Sequence, residues 1–546
     1  MTAQATDLET EVLIAGGGLV GLSTAMFLGR HGVRSLVIER RQGVSVVPRA
    51  AHFHLRTLEL FRQAGIEEEV ARRSEEEFLP DGAIVAMDCL AGRQLANIIG
   101  SLNEGVEALS PCRRLFISQP KLEPILRRRA QADGATVLGG HEVVGFEQGS
   151  SGVTVLARDV ATGEERRLHG QYLVAADGAH SRVRELLGIP LEGRGVFSNS
   201  MTIYFDADVS PYLAGKALSV IYINNPVLGG VFRFDRSCRS GFLIVNMTGD
   251  PARDPDAADA ARDVSEARLT ALVRSGVGVA DLPVTITAVA RWRATASVAR
   301  RYGEGRIFLV GDAAHLMPPN GGFGGNTGIH DAHNLAWKLA WALKRSAGDG
   351  LLATYEDERR SVGQLTVEQA YSRYVARTAP YLAADDVQPI VPDFNIELGY
   401  HYRSAAIESE DAPVLLHDHP HQACGRPGTR AAHVWLRRNG SRISCLDLFG
   451  GSFVLVAASP EAGWRAAAAP FAGHGLACHC VSVDLIDTDR RFAAAYGVSE
   501  SGAVLVRPDG FVSWRAPTVP ADPRGALARA LARTLDWPAR EGALIS

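Results

Sequence analysis

The segment from residue 11 to residue 39 constrains the fold more than any other part of the sequence. Residues 11–14 form a short apolar strand pattern, residues 22–31 have the pattern of a helix, and residues 35–38 predict the next strand. A glycine-rich turn, Ala15-Gly16-Gly17-Gly18-Leu19-Val20-Gly21, joins the first strand to the helix. This order predicts the opening β-α-β unit of a parallel α/β sheet.

Gly16, Gly18 and Gly21 occupy the three glycine positions of the GxGxxG fingerprint. The first permits the tight turn, the second lets the backbone approach a pyrophosphate, and the third lets helix and strand pack closely. Free amides and the positive end of the helix dipole then face the phosphates. Glu39, at the end of the second strand, is placed to accept hydrogen bonds from ribose hydroxyls. The pattern predicts an adenosine dinucleotide site without separating nicotinamide from flavin.

Composition excludes several classes of function. The 546 residues suffice for two or three domains, and the net charge of -4 provides no basic field for nucleic acid. The N-terminus lacks a charged region followed by an apolar stretch, and no long apolar window is present, so we predict neither a signal peptide nor a membrane span. The seven cysteines are scattered without a CxxC pair, which favours a reduced, cytoplasmic protein.

Two later turns indicate which dinucleotide is bound. Asp177-Gly178 and Gly311-Asp312 are separate from the first turn, and three such turns suggest one extended cofactor contacted at several points. Asp312 follows an apolar strand, where a carboxylate can receive hydrogen bonds from a ribityl chain. The glycine-dense loop 318–326 opens a helix, so its backbone can approach a flat ring and its N-terminus can stabilise the anion of a reduced flavin. The sequence predicts a flavin dinucleotide.

These motifs resemble those of the class A flavoprotein aromatic hydroxylases, the p-hydroxybenzoate-hydroxylase-like family. Within it, the chain is similar to the longer hydroxylases of aromatic polyketides, such as aklavinone and angucyclinone hydroxylases. The resemblance covers nearly the whole length. It rests on Gly16-Gly17-Gly18-Leu19-Val20-Gly21, Glu39-Arg40, Pro48-Arg49-Ala50, Arg56 with Glu59, Gln119, Asp177-Gly178, and the run from Gly311 through Asn334-Leu335-Ala336-Trp337-Lys338.

The resemblance implies FAD as the cofactor and NADPH or NADH as the electron donor. Glu39 would hold the adenosine ribose, Arg49 and Gln119 would lie along the flavin chain, and Asp312 would hold ribityl. Asp177 would serve both the flavin and the nicotinamide cofactor, since the family has no second dinucleotide fold. The full set of expected FAD-binding residues is Gly16, Gly18, Leu19, Val20, Gly21, Glu39, Arg40, Arg49, Gln119, Asp177, Asp312, Pro319, Gly322, Gly325 and Asn326.

The resemblance also implies the domain order of an α/β protein. We predict a Rossmann-like FAD-binding domain over 1–195, with substrate-domain insertions near 80–115, and a β-sheet substrate domain over 196–290. Residues 291–402 return to the FAD-binding domain and add connecting helices. Residues 403–546 resemble the thioredoxin-like domain of such hydroxylases, without its redox dithiol. Cys478-His479-Cys480 is not a CxxC pair, so packing or dimerisation is expected of this domain.

The implied activity is insertion of one oxygen atom from O2 into an electron-rich phenolic or polycyclic aromatic ring, through a flavin C4a-hydroperoxide. Tyr222 resembles the tyrosine suggested as the proton acceptor in anthracycline hydroxylases, and simple strand packing is the alternative. A tyrosine hydroxyl needs a positive neighbour to act as a base at neutral pH, and Arg233 and Arg291 are the candidates. His52 and His54 lack accompanying carboxylates or cysteines, so no metal site is predicted.

Other functions remain open on the sequence alone. A flavin-dependent halogenase or dehydrogenase can use a related scaffold, but no tryptophan here stands in the Trp-x-Trp-x-Ile-Pro motif expected of halogenases. A non-catalytic flavin-binding protein is the alternative from a different class. We expect an aromatic small molecule and O2 as partners, no nucleic acid, no membrane, and a monomer or a homodimer. A role in the biosynthesis of polyketide antibiotics is implied by the resemblance.

Overall fold

The strand before the glycine turn, Val12–Ala15, lies inside a six-stranded sheet that is parallel except at one edge. The computed structural model describes residues 8–43, 52–213, 215–249, 259–344, 347–410 and 415–537. All residues of this strand are buried, as expected for a strand covered on both faces. In order across the sheet the strands are Gly303–Glu304, Ile307–Leu309, Tyr172–Ala175, Val12–Ala15, Ser35–Glu39 and Thr136–Gly139.

The helix after the glycine turn, Leu19–Arg30, packs against helices Gln119–Ala132 and Phe323–Lys344. The sequence pattern predicted a start at residue 22. In the structure the helix begins three residues earlier, directly after Gly18. The fingerprint therefore contributes the first helical turn as well as the loop.

Two smaller sheets adjoin this domain. One contains four strands, in the order Leu8–Glu9, Glu165–Gly170, Val153–Asp159 and His141–Gln148. The other is the antiparallel pair His52–Phe53 and Leu115–Phe116, which places a segment from the region near 80–115 beside the first domain.

An eight-stranded sheet forms the second large layer. In order its strands are His315–Leu316, Thr285–Ala299, Leu191–Asp206, Ser240–Thr248, Leu228–Phe234, Leu218–Asn224, Ala83–Met87 and Gln94–Ile99. Ile221 is paired with Phe232 and Phe232 with Leu243, and this face forms an apolar core with helix Glu266–Val277. Side chains alternate along strands, so Tyr222 and its partner Val231 lie on the opposite face.

Two long helices, Phe323–Lys344 and Gly350–Arg377, pack against each other and connect the layers. No helix among the described residues is both long and apolar enough to cross a membrane. The remaining α-helices are Leu55–Gln63, Glu67–Glu77, Arg182–Leu186, Ser210–Leu213, Asp393–Glu397, Pro420–Ala423, Trp464–Ala468, Phe492–Tyr496 and Pro523–Leu535. Short 3-10 helices span Val106–Ala108, Gly311–Ala313, Pro380–Leu382, Cys445–Leu448, Pro460–Ala462 and Ala469–His474.

The C-terminal region has a mixed four-stranded sheet in the order Leu476–Cys480, Phe453–Ala457, Ala503–Val506 and Val512–Ala516. The first two strands are parallel and the others antiparallel, which is the strand order of a thioredoxin-like domain. A two-stranded hairpin, Trp435–Arg438 and Ser441–Ser444, precedes it. The predicted α/β architecture with a thioredoxin-like C-terminal domain is confirmed. All seven cysteines are free thiols.

Buried ion pairs join the C-terminal domain to the long helices. Arg507 donates to Glu358 through Nη1–Oε1 and Nη2–Oε2 distances of 2.6 and 2.8 Å, and Lys338 Nζ lies 2.8 Å from Glu358 Oε2. These three side chains have no solvent exposure. Asp509 accepts hydrogen bonds from Asn334 and from the indole of Trp337, both at 3.2 Å. The hairpin that carries Arg507 and Asp509 is thus part of the interior of the protein.

Arg507, Glu358, Lys338 and Asp509 form a buried charge cluster in which the positive and negative groups balance one another. Burial alone would raise the pKa of Glu358, but Arg507 and Lys338 hold that pKa well below its usual range. Burial lowers the pKa of the Lys338 ammonium to about 8, against the opposing effect of Glu358. A second link joins Arg430 of the C-terminal region to Glu59, with Nε–Oε2 at 2.8 Å. Removing one partner would leave an uncompensated charge in a dry site.

We expect Arg507→Met to lower the free energy of unfolding by about 3–5 kcal/mol, because Glu358 would lose its bidentate partner while remaining buried. Urea unfolding followed by circular dichroism measures this change. Arg72→Met is the matched control, since the Arg72–Glu76 pair is exposed and the expected change is below about 1 kcal/mol. Equal unfolding midpoints for Arg507→Met and the wild type would contradict the structural role given to this cluster.

Candidate active site

Three parallel strands of the six-stranded sheet end in register at one edge. Ala15 is paired with Ala175, and Ala175 with Leu309, so the residues that follow each strand emerge side by side. Ligands of open α/β sheets bind beyond the carboxyl ends of the strands. The turns predicted from separate parts of the sequence therefore meet at a single edge.

The first turn is built for close backbone approach. Gly16 has a φ of +98°, and a Cβ there would collide with the carbonyl oxygen of Ala176. A Cβ at Gly21 would collide with the carbonyl oxygen of Gly16, so the helix passes directly against the turn. Gly18 is the N-cap of helix Leu19–Arg30 and has no side chain to cap the first amides. Those amides are oriented for an anionic ligand such as a pyrophosphate.

Glu39 fixes the same turn from the neighbouring strand. Its carboxylate accepts hydrogen bonds from the amide of Gly17 at 2.6 Å and from the amide of Arg41 at 2.9 Å. Each carboxylate oxygen can accept a further bond, so a ribose hydroxyl can share this site. Arg40 is exposed beside it.

Asp177 has an unsatisfied acceptor in the second turn. Its Oδ2 accepts a hydrogen bond from the amide of Val183 at 3.1 Å, while its Oδ1 is buried with no hydrogen-bond partner. Burial raises the pKa of this carboxyl group. A buried acceptor without a donor is costly, and a hydroxyl or amide of a bound cofactor would satisfy it.

The third turn is held by the buried carboxylate of Asp331. Asp331 accepts from the amide of Gly311 at 3.1 Å and lies 2.8 Å from His315 Nε2 and 2.7 Å from Arg359 Nε. Gly311 has a φ of +61°, and a Cβ there would lie 2.9 Å from Cγ2 of Val20. Because Val20 occupies that space, the first helix contacts this turn directly. Asp312 is exposed at the next position, at the edge where the other turns meet.

The glycine-dense loop is tied down by Asn326. Its side-chain nitrogen donates to the carbonyl oxygens of Gly322 at 2.7 Å and His52 at 2.9 Å, and its oxygen accepts from the amide of His54 and the hydroxyl of Thr57. The Asn326 amide group is therefore fully engaged by protein groups and positions the loop. Pro319 is exposed, whereas Gly322 and Gly325 are half-buried.

Gln119 lies at the start of helix Gln119–Ala132 and donates from Nε2 to Glu123 Oε1 at 2.5 Å. Sequence reasoning missed the buried Glu123, although its spacing of four residues from Gln119 on a helix was a usable signal. A Cβ at Gly18 would lie 3.8 Å from Glu123 Oε1, so this pair adjoins the first turn. Arg49, also expected here, lies outside the described residues.

Tyr222 faces the same region from the large sheet. It is 5% exposed and packs in an apolar cluster with Phe116, Ile84 and Leu102. Arg377 Nη1 lies 3.5 Å from the tyrosine hydroxyl oxygen. This neighbour could not be predicted from the sequence, because Arg377 is at the end of a helix far along the chain.

Of the two arginines expected beside Tyr222, Arg291 lies elsewhere and that expectation is wrong, whereas Arg233 lies on the same face of the sheet as Tyr222. Arg291 is exposed on strand Thr285–Ala299, and Arg233 lies with its guanidinium over the rings of Phe116 and Phe78. Strand pairing separates Arg291 from Tyr222 across the sheet, and the alternation of side chains places Arg233 on the Tyr222 face without a hydrogen bond to it.

His52 and His54 connect the glycine loop to that apolar cluster. The His52 ring stacks on Phe116 with a centroid distance of 4.6 Å, and a Cβ at Gly322 would lie 3.1 Å from His52 Cβ. His54 Nε2 lies 2.9 Å from the carbonyl oxygen of Gly321. Burial lowers the pKa of both imidazoles. The described residues include no group of three or more His, Cys, Asp or Glu side chains that could hold a metal.

These features fit FAD as the cofactor. The sheet edge provides a glycine cradle with free helix amides, a buried orphan acceptor on Asp177, and Asp312 beside it. The glycine loop and the Tyr222 face of the large sheet are linked through His52 and Phe116. An extended ligand bound along this edge can therefore point toward the apolar and aromatic cluster around Tyr222, Phe116 and Phe78, which is named the aromatic compartment below.

Comparison with known proteins identifies an FAD-binding domain and a C-terminal hydroxylase domain in this chain. Residues 9–370 match the model of the FAD binding domain, and residues 424–538 match that of the aromatic-ring hydroxylase C-terminal domain. The chain is 49% identical over 538 residues to 4-methyl-5-nitrocatechol 5-monooxygenase of Burkholderia sp, covering 97% of this chain and 98% of that protein. It is 37% identical over 561 residues to tetracenomycin A2 monooxygenase-dioxygenase of Streptomyces glaucescens, covering 97% and 98%.

A solved structure shows the same fold with ligands. The ternary complex of aklavinone-11 hydroxylase with FAD and aklavinone superimposes with a TM-score of 0.91 at 36% identity, covering 97% of this chain and 100% of that one. The fold, FAD as the cofactor and the matched C-terminal domain agree with the resemblance drawn from the motifs. The chain belongs to the FAD-dependent aromatic-ring hydroxylases and is an FAD-dependent monooxygenase that uses NAD(P)H.

Proposed function

We propose that this enzyme hydroxylates a phenolic ring held between the glycine loop and the Tyr222 face of the large sheet, with Tyr222 accepting the phenolic proton. The observation that carries this proposal is the Arg377 guanidinium 3.5 Å from the hydroxyl oxygen of Tyr222. At that distance the guanidinium can donate to the hydroxyl oxygen and orient it toward a bound ring. We assign the uptake of the phenolic proton to this oxygen.

Loss of the phenolic proton makes the ring more electron-rich, which favours attack by an electrophilic oxygen. Bound FAD supplies the redox chemistry, taking electrons from NAD(P)H and activating O2. Tyr222 contributes the proton transfer, a step that typically accelerates reactions by two to four orders of magnitude. The apolar side chains around Tyr222, including Phe116 and Leu102, exclude water from the compartment.

The cofactor roles predicted from the sequence belong to the same proposal. Glu39 would hold the adenosine ribose, Gln119 would lie along the flavin chain, and Asp312 would hold ribityl. Asp177 would satisfy its orphan Oδ1 on the cofactor, which supports its assignment. Leu19, Val20 and the loop residues Pro319, Gly322, Gly325 and Asn326 would shape the surface against which the cofactor lies, and Arg49 and Arg40 complete the predicted set.

The substrate class we favour is a substituted catechol. The nitrocatechol monooxygenase is 49% identical to this chain over nearly its whole length, whereas the tetracenomycin enzyme is 37% identical. A fused-ring polyketide is the second candidate, and the TM-score of 0.91 with the aklavinone complex supports it. Mass spectrometry of products from both compound classes tests this choice. Hydroxylation of polyketides alone would overturn the preference for catechols.

We also propose a cytoplasmic location, which the free thiols and the use of NAD(P)H support. The expectation of a monomer or a homodimer stays a prediction.

We expect Asp312→Ala to weaken FAD binding by about tenfold to a hundredfold, because a charged hydrogen-bond acceptor for ribityl would be lost. The measurement is the FAD content of the purified protein together with a fluorescence titration of the apoprotein. Asp281→Ala is the control, since Asp281 is exposed beyond helix Glu266–Val277 on the other side of the large sheet. Full flavin content in Asp312→Ala would refute the role assigned to Asp312.

We expect Tyr222→Phe to slow hydroxylation roughly a hundredfold or more while flavin reduction by NAD(P)H changes little, because only hydroxylation needs the phenolic proton removed. Stopped-flow absorbance separates the two steps, and chromatography quantifies the product. Tyr212→Phe is the control, since Tyr212 packs with the apolar core on the opposite face of the sheet. Unchanged hydroxylation in Tyr222→Phe would eliminate this tyrosine as the proton acceptor.

A further inference from the structure

Arg233 is a buried cation that forms no ion pair with the described residues, although the carboxylate of Glu77 acts on it from a longer distance. The residue is only 5% exposed. Its Nε is buried without an acceptor. The guanidinium lies against two aromatic faces, with its carbon 3.5 Å from the centroid of Phe116 and 3.9 Å from that of Phe78.

The other buried arginines of the described chain behave differently. Each one donates a hydrogen bond to an oxygen atom: Arg56, Arg114, Arg184, Arg359, Arg373, Arg430 and Arg507. Desolvating a guanidinium is costly unless a partner compensates it. Cation–π contacts supply only part of that compensation. Arg233 thus retains unused capacity to bind an anion.

The position of Arg233 directs this capacity toward the substrate compartment. Tyr222 is paired with Val231, and residues 231 and 233 lie on the same face of strand Leu228–Phe234. Phe116, which lies under the guanidinium, also stacks on His52, and His52 lies against Gly322 of the glycine loop. Arg233 is therefore on the face of the sheet that carries Tyr222 and is connected by direct contacts to the loop.

Burial lowers the pKa of Arg233 to about 9, and Glu77 opposes that shift. The guanidinium accordingly stays positively charged at neutral pH. A planar cation held against Phe116 and Phe78 can present its N–H groups to a ligand that carries negative charge.

We propose that Arg233 recognises the substrate as an aromatic anion, binding an ionised oxygen substituent such as that of a nitrocatecholate. This inference rests on the proposed function and narrows its substrate class, because an anionic substrate would give the buried guanidinium the direct ion pair that a neutral phenol cannot provide. Arg233 is a specificity-determining residue, separate from the proton transfer at Tyr222.

The test compares two probes on the purified holoenzyme in mildly alkaline buffer. The nitro group of 4-nitrocatechol makes one hydroxyl acidic enough to ionise there, whereas 4-methylcatechol stays neutral. Binding is measured by the change in flavin absorbance on titration. We expect Arg233→Met to weaken 4-nitrocatechol binding about tenfold to a hundredfold, the loss typical for a charged hydrogen bond, with a much smaller change for 4-methylcatechol.

Arg291→Met is the matched control, because Arg291 is an exposed arginine of the same sheet, and it should leave both affinities unchanged. Arg233→Lys should keep part of the preference for the nitrocatecholate, and Arg233→Gln should lose it. If Arg233→Met does not retain FAD, the comparison of Arg233→Lys with Arg233→Gln tests whether the positive charge at position 233 binds the nitrocatecholate. An equal loss for both probes, or no loss for either, would overturn the inference.

The outcome is separable from the proposed function. A wild-type enzyme that binds 4-nitrocatechol in an Arg233-dependent way but hydroxylates no phenol would refute the function and leave the recognition site standing. If the wild-type enzyme hydroxylates catechols, and Arg233→Met keeps the wild-type ratio of the affinities for 4-nitrocatechol and 4-methylcatechol, the recognition site is refuted and the function stands.

Discussion

The registered carboxyl ends of three parallel strands are the constraint on which the site depends. Ala15, Ala175 and Leu309 pair laterally, so the turns carrying Gly16, Asp177 and Asp312 emerge together although they are far apart in the sequence. Burial of the strands on both faces makes this register rigid, since a slip would expose apolar residues and bury the turns. A single extended cofactor can contact all three turns only because the sheet fixes their spacing.

Buried charges extend this rigidity to the rest of the molecule. Asp331 and Arg359 hold the Gly311 turn from the long helices, and Glu358, the residue before Arg359, binds Arg507 of the C-terminal domain. The helix Gly350–Arg377 therefore carries contacts to the cofactor edge, to the C-terminal domain and, through Arg377, to Tyr222. The C-terminal domain, which lacks a redox dithiol, acts as a structural partner of this helix.

The sequence predicted what depends on local backbone chemistry. The roles of the glycines at 16 and 21, the β-α-β order and the α/β class follow from short motifs, and the resemblance supplied FAD, the hydroxylase family and the thioredoxin-like C-terminal domain. Reasoning from the sequence missed contacts between groups that only the fold brings together. Arg377 reaches Tyr222 from the end of a long helix. Arg233 and Arg291 could not be distinguished in advance, because a single sequence does not show which strand face or sheet edge each occupies. Asn326 was expected at the cofactor, yet its amide is engaged by the loop it supports.

The central claim is that the FAD edge and the aromatic compartment together insert oxygen from O2 into a phenolic ring. The most direct measurement is mass spectrometry of the product formed from a catechol under isotopically heavy dioxygen, with NAD(P)H consumption followed in parallel. The account predicts a product that carries a single labelled oxygen atom for each NAD(P)H oxidised. Incorporation of oxygen from water, or NAD(P)H oxidation that yields only hydrogen peroxide with every aromatic offered, would contradict it.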